Sequence, residues 1–401
     1  MRILLVNSVY GFGSTGRICK DIAMQARSQG HQSAVLYGRG GAVDKEFCVT
    51  SMFGFFWHIL QTRLADRHGL ASHFATRKAL ARIRSYKPDL VHLHNLHGYW
   101  LHVPNFLAGL ARLGVPVVIT LHDCWTFTGH CAHFEYVSCD RWLENCGCCP
   151  QLSEYPASFV ADRSIRNLKD KRTAFALLSN LTIVTPSQWL AGKVERSHLG
   201  QRECLVINNG IDLQIFRPEG TRVISGAWPE TASFRLLAAA SIWNHRKGGA
   251  DLLALMDCLS PDFFLVVIGR QPKKTIPHPR IRYLERVEDI HEMASLYRTA
   301  DIFINTTLED TFPTTNLEAL ACGTPVITYR TGGSPEAIDK NTGIVVEKHD
   351  TIAMAVAVQT IKDQGKSYYS ANCVQRAQGL YDRLAAQAAY FDLYEKVIKR
   401  L

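Results

Sequence analysis

The sequence predicts an α/β chain of two doubly wound, Rossmann-like domains, and three observations carry that expectation. Its 401 residues exceed what one ordinary core accommodates and suit two domains of roughly 150 to 200 residues each. Short apolar runs alternate with helix-patterned stretches, which argues for parallel sheets with helices on their faces. The alternation occurs twice, on either side of a turn-rich segment.

In the first series RILLVN reads as a strand, followed by a helix to about Gly30, the strand SAVLYG and a longer helical stretch. DLVHLH, another helix and PVVITLH continue it. The segment VINNGIDLQIFRP, Val206 to Pro218, carries Asn-Gly and Arg-Pro turn chemistry and is placed as the linker. The second series runs FRLLAAA, a helix from about Gly249, FFLVVIG, IRYLER, a helix around Leu296, ADIFIN, a helix from Thr315 to Cys322, PVITYR and GIVVE. The expected domains are 1–205, with a cysteine-rich insert at 124–150, and 206–380. A C-terminal helix over 381–401 is a candidate to pack back on the first domain.

Composition narrows the class. Hydrophobic residues make up 47% and charged residues 20%, ordinary for a globular enzyme and unlike a disordered chain. No apolar run reaches the ~20 residues a spanning helix needs, and the first residues lack a charged-then-apolar leader, so the expected location is the cytoplasm. In that compartment twelve cysteines read as thiols or metal ligands rather than disulfides. The net charge of +9 sits almost wholly in residues 1–180, which hold 20 Lys and Arg against 12 Asp and Glu. Such a half suits anionic lipid, a phosphate-bearing substrate, nucleic acid, or plain solvent.

The stretch GFGSTGR spells G-x-G-x-x-G through Gly11, Gly13 and Gly16, after a strand and into a helix. A dinucleotide site also needs an acid at the end of the next strand to hold the ribose, yet SAVLYG ends in Gly38-Arg39. That removes the main support for NAD and leaves only an NADP variant resting on Arg39. The glycines still permit close backbone approach, and helix-start amides still favour an anion.

The sharper pattern is LEDTFPTTNLEALACGTPVITYR. Asp310 ends a strand and Glu318 lies within the following helix, framing a loop where two carboxylates can grip sugar hydroxyls. Amides at the helix start, around Thr314, Thr315 and Asn316, suit a phosphate. This region resembles the E-x7-E segment of the glycosyltransferase family 4 enzymes, with Glu318-Ala-Leu-Ala-Cys-Gly-Thr-Pro-Val326 matching closely and Asp310 standing where the first Glu is usual. INNGID, RKGGADLL and VITLHDCW resemble further segments of the same family, as do GFGSTGRI and VHLHNLHGYWLH for its exopolysaccharide, O-antigen and colanic-acid subgroup.

That resemblance implies a GT-B fold, two doubly wound Rossmann-like domains facing across a cleft. It implies retention of anomeric configuration without a catalytic metal or other cofactor. Glu318 would hold the donor ribose, Asp310 the hexose, and Lys247 the diphosphate. Family members also place an arginine five residues before that lysine; here the position is Ile242, so Arg246 is expected to supply the second cation. His122 would contact the sugar, and Gly13 and Ser14 would face the donor phosphate or the acceptor. The donor would be a UDP- or GDP-sugar and the acceptor a surface polysaccharide growing on a polyprenyl diphosphate, with no nucleic-acid partner. A GT-B nucleotide-sugar epimerase and a non-catalytic sugar-binding clamp remain the alternatives.

Two segments stand outside this reading. Cys131, Cys139, Cys146 and Cys149 are spaced C-x7-C-x6-C-x2-C, with Cys148 extra; the closing C-x2-C suits tetrahedral structural zinc, while His130 or His133 could replace a cysteine. Buried or redox-active thiols are the equal alternative. The stretch from Met52 to Lys87 joins the aromatic run Phe53 to Trp57 to many basic residues, which suits an interfacial helix on anionic lipid; a helix packing its apolar face on the sheet is as good a reading. His92, His94 and His97 alternate along a strand reaching its end and read as satisfied or acceptor-lining residues rather than a metal set.

Overall fold

The computed structural model describes residues 1–40, 47–220, 226–272 and 277–400, and every count refers to these. They form two compact units, residues 1–207 with 387–401, and residues 208–386.

The first unit holds strands β1 (Arg2–Tyr10), β2 (Gln32–Gly40), β3 (Leu90–Leu93), β4 (Val117–Thr120), β5 (Leu181–Thr185) and β6 (Cys204–Val206). They pair in parallel in the order β2-β1-β3-β4-β5-β6. β3, β4 and β5 are buried at every residue, as a parallel sheet covered on both faces requires. The sequence rhythm showed only the first four; β5 and β6 follow the irregular insert, which interrupts the alternation. Between the strands lie α1 (Gly13–Ser28), α2 (Met52–Ala65), α3 (His73–Tyr86), α4 (Val103–Leu113), α5 (Ser164–Ala176) and α6 (Gln188–Glu195).

The second unit repeats the plan with β7 (Phe234–Ile242), β8 (Phe263–Arg270), β9 (Ile281–Leu284), β10 (Ile302–Asn305), β11 (Val326–Tyr329) and β12 (Gly343–Val346). Their order is β12-β11-β10-β7-β8-β9, again all parallel. Its helices are α7 (Gly249–Cys258), α8 (Ile290–Thr299), α9 (Thr314–Ala321), α10 (Thr351–Gln364) and α11 (Lys366–Leu380). The last helix, α12 (Arg383–Ile398), starts in the second unit and continues in the first.

The unit boundaries differ slightly from the expected ones, and the backbone shows why. Ile211 N–H donates to Tyr381 O at 2.9 Å and Arg383 N–H to Ile211 O at 3.0 Å, which ties 381–386 to the exit of the linker. Beyond that point Tyr390, Phe391, Leu393, Tyr394 and Val397 join the core built on Ile3, Leu5, Ile22 and Leu90. Each such large side chain contributes about 1.5–3 kcal/mol on burial. His92 is satisfied there: Nδ1 meets Tyr394 Oη at 2.6 Å and Nε2 meets Thr120 Oγ1 at 2.8 Å.

The basic aromatic stretch forms two helices, because Asp66 ends α2 in the left-handed conformation. Ser51 Oγ caps α2 by accepting from Gly54 N–H at 3.1 Å. The packed reading holds for α3, whose Ala75, Ala79 and Ile83 join the core of the first unit, and fails for α2. Only His58 and Thr62 of α2 are buried, while Met52, Phe53, Phe56, Trp57, Leu60 and Leu64 are exposed.

Candidate active site

Both sheets reverse their winding beside the first strand of the unit, between β1 and β3 and between β7 and β10. Ligands of open α/β sheets bind at such switch points, outside the carboxyl ends of the strands. Most of the residues singled out from the sequence lie there.

In the second unit two loops are sewn together. β7 runs into the turn Asn244–Gly248, and β10 into Thr306–Pro313. Leu308 N–H donates to Arg246 O at 2.8 Å, and Thr306 Oγ1 donates to Lys247 O at 3.0 Å. Gly248 sits at φ +68°, and a Cβ there would stand 2.1 Å from Thr306 O, so only glycine permits this approach. Gly332 does the same from the far side, where a Cβ would stand 1.7 Å from Asp310 O. The closeness of the loops sets the charges face to face: Lys247 Nζ donates to Asp310 Oδ2 at 2.8 Å, and Arg246 Nε lies 3.8 Å from Glu309 Oε1.

Glu309 adjoins Asp310 and stands nine residues before Glu318, one more than the Asp310 spacing. The structure buries it to 3% exposure beside Arg246. No spacing signal could have marked it, since its partner lies 63 residues away. Arg246 is thus engaged with a carboxylate, as is Lys247.

α9 opens at Thr314, directly after the loop that ends at Pro313, and Pro313 provides no side-chain cap for its first amides. Asn316 Oδ1 accepts from Asn305 Nδ2 at 2.8 Å, while Asn316 Nδ2 is buried without a hydrogen-bond partner. Glu318 lies one turn further. Its Oε2 accepts from Tyr297 Oη at 2.9 Å, and Tyr297 is fully buried. Burial, with the neighbouring Glu318 charge, pushes the Tyr297 phenol well above its ordinary pKa, so it stays a donor. Tyr297 carried no sequence signal, because a tyrosine on an amphipathic helix reads as core.

In the first unit, Gly13 and Ser14 start α1 and are exposed. Gly11 N–H donates to Gly16 O at 3.2 Å, closing the loop on itself. Asn7 braces it, with Nδ2 donating to Val9 O at 2.8 Å and Oδ1 accepting from Asn95 N–H at 3.1 Å. Arg39, on which the NADP reading rested, lies over the Phe55 ring at 4.1 Å.

His122 follows β4, and its Nε2 meets His94 Nδ1 at 2.9 Å with the rings stacked. Burial lowers the His122 pKa to about 4 and that of His94 well below the ordinary value, so this pair is neutral at pH 7. The next residue, Asp123, accepts from Trp125 N–H at 2.9 Å and meets His97 Nε2 at 2.7 Å. Burial alone would raise the Asp123 pKa, but His97, through charge and hydrogen bond, holds it below the usual carboxylate range. His97 Nδ1 in turn meets Tyr155 Oη at 3.2 Å. Asp123 and Tyr155 were not singled out from the sequence; adjacency to His122 was the one signal available for the former.

The four cysteines predicted as a group line one small cavity together with His130. Every cysteine among the described residues is free of disulfides, and no helix among them is long and apolar enough to cross a membrane.

Comparison with known proteins follows the same division. Residues 15–215 match the family described as Glycosyltransferase Family 4, and residues 233–364 the family described as Glycosyl transferases group 1. A protein of Escherichia coli K12 named as a colanic acid biosynthesis glycosyl transferase, WcaC, is 25% identical over 375 residues, covering 88% of this chain and 89% of its own. Among solved structures, sucrose-phosphate synthase from Thermosynechococcus elongatus aligns over 100% of both chains with a TM-score of 0.71 at 16% identity. Anabaena HepE in complex with UDP aligns over 99% of this chain and 100% of its own, with a TM-score of 0.68 at 16% identity.

Proposed function

The chain belongs to glycosyltransferase family 4, has the GT-B fold and is a glycosyltransferase using a nucleotide-sugar donor, and from that premise we propose that it is a retaining hexosyltransferase. It takes the hexose from a UDP- or GDP-sugar and adds it to a surface polysaccharide growing on a polyprenyl diphosphate. The observation that carries the reading is the Lys247–Asp310 pair in the loop that leads into the helix carrying Glu318, at the switch point of the second sheet.

The chemistry follows from charge. Breaking the glycosidic bond sends negative charge onto the leaving diphosphate, and a cation already positioned there stabilises the transition state. Lys247 is that cation, with Arg246 and the amides of Thr314 and Thr315 as further donors. As the diphosphate draws Lys247 off, Asp310 is released to accept from hexose hydroxyls. Glu318, with Oε2 already held by Tyr297, offers a fixed carboxylate to the ribose diol, and Asn316 Nδ2 supplies a buried donor. His122, neutral at pH 7, serves as a hydrogen-bonding group for the sugar, and Gly13 and Ser14 present backbone amides to the donor phosphate or the acceptor. The reading calls for no catalytic metal.

Two features support a lipid-borne acceptor. α2 exposes Phe53, Phe56, Trp57 and Leu60, a wedge of apolar and aromatic side chains suited to the boundary between headgroups and acyl chains. Beside it a groove of about 660 Å³ runs to Phe74, Arg67 and Lys78, so apolar and cationic groups line one surface. We read this as peripheral attachment to the anionic, cytoplasmic face of a membrane.

The test is transfer itself. Purified protein is incubated with UDP- and GDP-hexoses and a polyprenyl-diphosphate oligosaccharide in anionic vesicles, and the product linkage is read by NMR. Retained configuration is expected. An inverted product, or isomerised donor in the absence of acceptor, would sink the proposal.

A further inference from the structure

We propose that Cys131, Cys139, Cys146 and Cys149 hold one zinc ion, a structural site in the first unit separate from the donor-binding residues. The four side chains line a single cavity whose open room is about 10 Å³. That is about the space of one water-sized sphere, enough for a bare ion and too little for an organic ligand.

Backbone amides reach two of the sulfurs: Gly129 N–H donates to Cys146 Sγ at 3.3 Å and Gln151 N–H to the Cys149 sulfur, while the Cys131 and Cys149 sulfurs are hydrogen-bonded to each other. Amide-to-sulfur bonds of this kind orient metal ligands. Between the last two ligands the chain turns through left-handed conformations at Cys146, Gly147 and Cys148, with φ of 59°, 95° and 45°. This tight knuckle places Cys146 and Cys149 on the cavity and leaves Cys148 exposed, outside its lining.

A second, independent feature points into the same cavity. His130 lines it, is 2% exposed, and has its Nδ1 bonded to Asp66 Oδ1 at 2.6 Å, yet its Nε2 is buried with no partner. With Nδ1–H donated to the Asp66 carboxylate, Nε2 keeps its lone pair, the form in which imidazole binds zinc, so His130 marks the cavity as a metal site and competes with Cys139 for the fourth position.

The insert also needs a cross-link. From Thr128 to Arg163 its regular structure is the single 3₁₀ turn Arg141–Leu143, yet it must hold Phe134 and Trp142 in the core, stacked at 5.1 Å. A segment with so little backbone ladder is the kind that a structural zinc holds in place. Among the described residues no three ligand groups are already drawn together at ion-holding spacing. Binding therefore includes rotation of the thiol side chains onto the ion.

The experiment is elemental analysis of the full-length protein, with cobalt substitution as a second readout. Wild type should carry about one zinc per chain, and its cobalt form should show the absorption of a tetrahedral thiolate site. C146S and C149S should lose the metal, C139S likewise, and C148S and H130Q should keep it. If C146S fails to fold, the wild-type stoichiometry and cobalt spectrum still decide the matter. Wild type without zinc after growth in zinc-supplemented medium, or C139S retaining zinc while H130Q loses it, would overturn the four-thiolate assignment.

Discussion

Replacing Glu318 separates two energies that the structure joins at one carboxylate. In the wild type Tyr297 Oη donates to Glu318 Oε2 at 2.9 Å, and the proposed ribose contacts fall on the same carboxylate. Hydrogen bonds to a charged group are worth about 1.5–3 kcal/mol each. Loss of both ribose contacts, partly replaced by water, should therefore cost about 3 kcal/mol of donor binding in Glu318→Ala. At 1.4 kcal/mol per tenfold, that is about two orders of magnitude in Kd. The same substitution strands the buried Tyr297 hydroxyl, at about 1–3 kcal/mol of stability. Because that loss is present with and without ligand, it drops out of the binding difference. Tyr297→Phe should weaken binding by only about 1 kcal/mol, and adding it to Glu318→Ala should restore stability without restoring affinity. Calorimetric titration of a UDP- or GDP-sugar, paired with urea unfolding, reads both quantities. A Kd for Glu318→Ala within threefold of wild type, or a larger binding loss for Tyr297→Phe, would refute the reasoning.

Two further expectations rest on charge. Lys247→Ala should lower kcat by about 10²–10³-fold, the scale of one lost transition-state donor, while changing unfolding stability by less than about 1 kcal/mol because its pair with Asp310 is partly exposed; a kcat within fivefold of wild type counts against it as the diphosphate cation. Burial holds the pKa of His58 and His92 down to about 3 and that of His122 to about 4, against about 6.5 unfolded, so the unfolded chain takes up protons first as pH falls. Their contribution to stability is complete above pH 6.5 and is lost as pH drops below it, about 1.4 kcal/mol per histidine and about 4 kcal/mol in all between pH 7.5 and 5.5. Urea midpoints across that range test it, and a flat profile means these histidines are not buried neutral.

Much of the fold was readable because its determinants are local. A period of two or of 3.6 residues is a property of neighbouring positions, so RILLVN, FFLVVIG and the helix carrying Glu318 declare themselves in one dimension. The Asp310-to-Glu318 spacing is local too, although Asp310 lies in the loop five residues past the end of β10 and not at the strand end the sequence suggested, because β10 stops at Asn305. The same holds for the C-x2-C knuckle, whose turn lies within four residues.

What the chain order could not decide are the meetings between distant segments. Lys247 finds Asp310 across 63 residues because β7 and β10 become neighbours where the second sheet reverses its winding, and Tyr297 finds Glu318 across 21 because α8 and α9, the helices before and after β10, pack together. The outward turn of the aromatic face of α2 was equally undetermined, since periodicity marks a face without saying what lies opposite it. By itself the sequence determined two α/β units, a pair of carboxylates eight residues apart and a cluster of thiols. Only the tertiary structure decided which charges stand face to face, which acid holds Arg246 and which apolar surface stays open. Those outcomes depend on strand order and side-chain proximity, which arise from non-local pairing and leave no mark in the spacing of residues along the chain.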